Sequence, residues 1–129
     1  MEDLLGIEYK KNGRLPDGLD CYSLVQEICR RRGISLPEYD SPTEDSLVHM
    51  MITGEMYKYV EEIKQPEPYC FVTFALHGPY VTHIGIVLDD TRYFLHILEH
   101  RNVAKERLDN RYWKQKIIGL YKWNKPLTS

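Results

Sequence analysis

Apolar residues at Cys21, Leu24, Val25, Ile28 and Cys29 fall at i, i+3, i+4, i+7 and i+8, the stripe of an amphipathic helix. Asp20 stands before that stripe as an acidic cap, and Gly33 follows as a stop. Ser41-Pro42-Thr43-Glu44 has the form of a capping box and predicts a second helix running to about Ile63, with Gly54 as an interruption. Its Met50, Met51, Met56, Tyr57 and Val60 read as ordinary packing positions.

Beyond Gln65-Pro66-Glu67-Pro68 the pattern changes to strands. The β-rich runs are Tyr69 to Leu76, Val81 to Leu88, Thr91 to Leu98, a shorter Asn102 to Leu108, and Lys116 to Trp123. Helices first and an antiparallel meander second predict an α+β fold. Residues 2 to 19 carry the turn signals Asn12-Gly13 and Pro16-Asp17-Gly18 and read as a loop leading into the first helix. Asn124 to Ser129 read as a frayed tail.

Asp89-Asp90 between two strands suggests a two-residue hairpin loop. Leu88 then pairs with Thr91, and the same register sets His83 opposite His96, so the two imidazoles share a face within reach of one another. Gly85 on that face removes bulk and would admit another backbone or a helix terminus, for which the Cys21 helix is the natural candidate.

At 129 residues the chain suits one domain, 1–129, with one core. Seventeen basic against nineteen acidic residues give a net charge of −2, so no strong field favours nucleic acid or an anionic membrane. Arg30-Arg31-Arg32 is the only basic cluster and suits the last turn of a helix, where cations complement the dipole. No apolar run is long enough to span a bilayer, and no signal-peptide pattern is present, so the chain is expected to be cytoplasmic as synthesised. Cys21, Cys29 and Cys70 form no disulfide framework, and Cys21 and Cys29 are too far apart along one helix to bridge.

Cys21 has a distinctive position. At a helix start the unpartnered N–H groups and the dipole favour a thiolate, so its pKa is expected to fall and the thiol to act as a nucleophile. Cysteine followed by two histidines suits nucleophile, base and orienter. The bland alternatives are a core cysteine and structural strand histidines, and these are the readings given to Cys29, Cys70, His49, His77 and His100. Cys21, His83 and His96 could offer three zinc ligands, but no CxxC, HxH or HExxH pair supplies a fourth, and no glycine-rich phosphate loop is present. Neither a metal nor another cofactor is expected.

Gly18-Leu19-Asp20-Cys21-Tyr22-Ser23-Leu24-Val25, Thr82-His83-Ile84-Gly85-Ile86-Val87 and Tyr93-Phe94-Leu95-His96 together resemble the NlpC/P60 family of papain-like cysteine peptidases, which mostly cleave peptide stems of bacterial cell walls. The lead-in Gly6-Ile7-Glu8-Tyr9, the helix exit Arg32 to Pro37 and Arg111-Tyr112-Trp113 extend the resemblance over nearly the whole chain. It implies N-terminal helices on a five- to six-stranded antiparallel sheet, with Cys21 as nucleophile, His83 as base and His96 as orienter. Tyr9 would line the site and offer an oxyanion donor beside the Cys21 N–H, with Asp20 and Tyr22 flanking the thiol. The partner implied is a wall stem peptide or a related short peptide. The family usually has serine then glycine after its cysteine. Here Tyr22 and Ser23 stand there, a departure that resembles a branch found among bacteriophage tail proteins and raises a competing expectation, a non-catalytic tail-assembly module that is virion-associated.

Overall fold

The computed structural model describes residues 2–36 and 58–124. Helix α1 spans Cys21–Arg31 because both its ends are closed by specific hydrogen bonds. Asp20 Oδ1 accepts the N–H of Ser23 at 2.8 Å, and Ser23 Oγ accepts the N–H of Asp20 at 2.8 Å, a reciprocal box that satisfies two otherwise orphaned donors. At the other end Ile34 N–H donates to Cys29 O and Gly33 N–H to Arg30 O, with Gly33 at φ +80°, the left-handed closure glycine permits. The arginines after Cys29 are all engaged. Arg30 and Arg31 pair with Glu27, Arg31 also with Asp3, and Arg32 lies 4.2 Å over the Tyr69 ring.

The strands are β1 (Val60–Ile63), β2 (Phe71–Phe74), β3 (His83–Val87), β4 (Tyr93–His96), β5 (Ala104–Arg107) and β6 (Ile117–Trp123). Among the described residues they form one six-stranded antiparallel sheet in the order β1-β6-β2-β3-β4-β5. The α+β expectation therefore holds. Val60–Ile63, expected at the end of the second helix, is instead an edge strand paired with Leu120–Trp123, an example of tertiary pairing overriding local pattern. The rest of that expected helix, with its Ser41 cap, lies outside the described residues, as does most of the tail. A short helix the pattern did not signal, α2 (Arg111–Lys116), precedes β6; the Asn110 side chain caps it by accepting the N–H groups of Tyr112 and Trp113.

The β3–β4 hairpin differs from the expected one. Leu88 N–H donates to Tyr93 O, which leaves a four-residue loop, Asp89 to Arg92, and pairs Ile86 with Leu95 and Val87 with Phe94. Two adjacent aspartates do not supply the positive-φ pair that a two-residue loop needs. Asp90 instead folds its carboxylate back to accept the N–H groups of Arg92 and Tyr93, while Thr91 takes φ +58°. The slip is two residues. A one-residue slip would have reversed the faces, whereas this one leaves His83 and His96 on the same face, as diagonal rather than opposed neighbours.

Alternation sorts the sheet's buried residues into two clusters. On one face Ile84, Ile86, Leu95 and Ile97 pack with Leu24, Val25 and Ile28 of α1. On the other, Val72, Phe74, Val87 and Phe94 pack with Trp113 of α2, and the histidines lie among these rings.

Candidate functional site

Cys21 is the first residue of α1 and remains partly exposed, while Tyr22 to Val25 behind it are buried. The backbone amides of Ile84, at the start of β3, and of Tyr22 and Cys21 act to lower the pKa of its thiol. These donors favour the thiolate, as the helix-start argument requires. They are outweighed. Burial of the sulfur, and next the carboxylate of Asp20, push the thiol up to about 12 from 9.0, so the expectation of a depressed pKa is not met in the resting geometry.

His83 and His96 are 3% and 2% exposed. Nε2 of His83 lies 2.8 Å from Nδ1 of His96, with the rings at 70°. Continuing the β3–β4 register puts Gly85 opposite His96. A Cβ on Gly85 would stand 2.9 Å from Leu95 O and 3.3 Å from His96 Cβ, so the bare face of this glycine admits β4 and the His96 side chain, not α1. The helix packs on the opposite face of the sheet, against β3 and β4. Trp113 closes the other side, its ring edge-on to His96 at 4.7 Å. In this sheath burial, and then the neighbouring His96, hold His83 well below 6.5; burial also lowers His96, against the Glu106 carboxylate, which raises it.

The three expected residues are thus gathered in one region, but not all joined. The imidazoles are hydrogen-bonded to each other, while the groups that act on the Cys21 thiol are the Asp20 carboxylate and backbone amides. Burial acts on all three in the same sense, disfavouring the thiolate and both imidazolium forms, so the neutral forms are favoured at neutral pH.

Tyr9 reaches the site from the N-terminal segment, which is stitched between Leu19 and the 98–103 loop by Tyr9 N–H to Arg101 O and Lys10 N–H to Leu19 O. Burial, then the negative charge of Asp20, pushes its phenol up to about 12, so it stays an O–H donor. Asp20 is 2% exposed and spends its carboxylate on Ser23 N–H and Asn12 N–H, tying the 12–20 loop to the helix start. Tyr22 points into the helix-side core at 7% exposed. Cys29 and Cys70 are buried, and His77 and His100 exposed; His49 lies outside the described residues.

Three contributors escaped sequence reasoning: the Ile84 amide, Trp113 and Glu106, whose Oε2 is 3.4 Å from Nε2 of His96. Alternation within Ala104–Arg107 carried the signal for Glu106, but the seven residues between β4 and β5 left its register open. Among the described residues no three His, Cys, Asp or Glu side chains converge as a metal site, and no helix is long and apolar enough to cross a membrane.

The chain is similar to two solved structures. One, described as similar to a lipoprotein of the NLP/P60 family and from Staphylococcus aureus subsp. aureus Mu50, is 25% identical with a TM-score of 0.67; the match covers 96% of this chain and 39% of that one. The other, an NlpC/P60 family protein from Bacillus cereus ATCC 10987, shares the fold at 16% identity and a TM-score of 0.69, covering 95% of this chain and 37% of that one. The present chain therefore spans less than two-fifths of either. The family model of NlpC/P60 matches residues 6–122. With the cysteine at the helix start and the paired histidines on adjacent strands, that match means the chain belongs to the NlpC/P60 family.

Proposed function

We propose that this protein is a thiol hydrolase that cleaves amide bonds in bacterial cell-wall peptides, with Cys21 as nucleophile, His83 as general base and His96 as the group that orients His83. The observation that carries the reading is the buried 2.8 Å contact between His83 Nε2 and His96 Nδ1, which turns Nδ1 of His83 away from His96, with the neighbouring Ile84 amide acting on the Cys21 thiol. In this reading His83 Nδ1 is the nitrogen that accepts from the Cys21 thiol. His83 takes the thiol proton as sulfur attacks the substrate carbonyl, and the amine leaves with that proton. Water, deprotonated by His83, then releases the acid from the thioacyl-enzyme. In this reading the Cys21 N–H and the Tyr9 hydroxyl hold the oxyanion.

Because the resting pair is neutral, the thiolate forms only as substrate binds, by general-base transfer rather than from a standing ion pair. The rising limb of the rate against pH then lies below the 6.5 of an ordinary imidazole, and the rate is flat through neutrality. Incubation with purified wall peptides, with products identified by mass, tests the hydrolase. Cleavage by the wild type and none by Cys21→Ala is the expected result, and equal cleavage by both defeats the assignment.

A second reading, a non-catalytic interaction module such as one assembled into a phage tail, is favoured by the thiol pushed up to about 12 by burial and the Asp20 carboxylate. It expects no product from any wall peptide, and it places the chain within a larger assembly instead of at a wall substrate.

A further inference from the structure

His96 sits between the two smallest neighbours its strand could have. Ala104 pairs with it on β5, and Gly85 stands opposite on β3. With no bulk on either side, the ring reaches along both diagonals. Nδ1 meets His83, two residues before Gly85, and Nε2 meets Glu106, two residues after Ala104. His83, His96 and Glu106 therefore form one oblique row across β3, β4 and β5, and Glu106 is its far end, 34% exposed where it lines a cavity of about 650 Å³ with Trp113 and Arg101.

A neutral imidazole carries one N–H, so a chain of two has two possible polarities. In one, His96 Nδ1–H donates to His83, whose own proton is then on Nδ1; that nitrogen is a donor and cannot accept from a thiol. In the other, His96 carries its proton on Nε2, accepts at Nδ1 from His83 Nε2–H, and leaves His83 Nδ1 as a lone pair. Only an acceptor behind His96 favours the second. The 2.8 Å contact by itself fits both.

We propose that Glu106 is the positioning residue that sets this polarity, its carboxylate accepting the Nε2–H of His96 and thereby keeping Nδ1 of His83 unprotonated toward Cys21. The proposal rests on the hydrolase reading and adds to it the partner that an imidazole orienter otherwise lacks. A histidine alone behind the base stabilises an imidazolium poorly, whereas a carboxylate one ring further supplies negative charge on the same line. The Glu106 hydrogen bond and charge both act to raise His96, in keeping with a proton held on Nε2.

The test is histidine tautomer assignment by ¹⁵N NMR on the full chain at pH 7.5, together with turnover of a wall peptide. Wild type is expected to show His96 protonated at Nε2 and His83 also at Nε2. Glu106→Ala, checked for folding by circular dichroism, loses the fixed tautomers and lowers kcat by about 10- to 100-fold with KM within about twofold, the pattern of a lost orienting partner. Glu106→Asp restores part of the kcat. His96 protonated at Nδ1 in the wild type, or unchanged tautomers in Glu106→Ala, overturns the proposal. If the wild type cleaves nothing, the hydrolase reading fails on its own and the tautomers still decide the role of Glu106.

Discussion

The two faces of the central sheet do different work with different residues. The helix-side face is aliphatic, Ile84, Ile86, Leu95 and Ile97 against Leu24, Val25 and Ile28, and its task is to seat α1. The opposite face is aromatic, Phe74, Phe94 and Trp113 around His83 and His96. Aliphatic packing is non-directional and fixes where the helix start, and so Cys21, comes to rest. Rings have edges and faces, so the aromatic side fixes orientation as well as position. The thiol and the imidazoles are thus seated by separate cores on the two faces of the sheet, which lets the rings be locked together independently of the helix start.

The largest test of that division is Trp113→Ala, which should cost about 3–5 kcal/mol on chemical denaturation and move the His96 ring signals in NMR, since the indole lies 4.7 Å from that ring. Ile28→Ala, at 0% exposed, should cost about 2–5 kcal/mol yet leave the His83–His96 signals unshifted. Equal disturbance of the histidines by both variants would mean that the two cores are not separate.

Acid comes next. The folded state holds His83 below the 6.5 of the unfolded chain, so the unfolded state takes up the proton first; stability from this group is complete above pH 6.5 and declines as pH falls toward the folded value. His96 acts in the same direction. The unfolding free energy from chemical denaturation should therefore decrease as pH drops below 6.5, by up to about 1.4 kcal/mol per pH unit for each histidine, and His83→Gln should flatten the slope. Asp20→Ala should remove the cap shared by Ser23 and Asn12 for about 1–2 kcal/mol, seen as a lower thermal midpoint. The smallest effect is chemical. Cys21, partly exposed as a residue although its sulfur is buried, should alkylate slowly but before Cys29 and Cys70, with a rate that keeps rising tenfold per pH unit beyond pH 9 instead of levelling near neutrality.

In alkali the sign reverses for the thiol: the folded state keeps the Cys21 proton up to about 12 while the unfolded chain loses it near 9.0, so this group favours the fold below pH 9 and withdraws that support above it.

Period and punctuation in the sequence settled much of the rest. The 3.6-residue stripe from Cys21 to Cys29, stopped at Gly33, gave α1 its place, and alternating β-rich runs gave β2 to β6 theirs. The common face of His83 and His96 was legible too, because any slip by an even number of residues preserves it. Tertiary structure decided what local pattern could not: Val60–Ile63 became a strand because β6 offered an edge, and the four-residue loop followed from where the Asp90 carboxylate found donors. It also decided the protonation of the thiol. A helix start promises a stabilised thiolate, but burial depth and the direction of the Asp20 charge are three-dimensional quantities, and here they prevail. Glu106 belongs to the same class, since a residue ten positions from His96 becomes its neighbour only when the register of two strands is fixed.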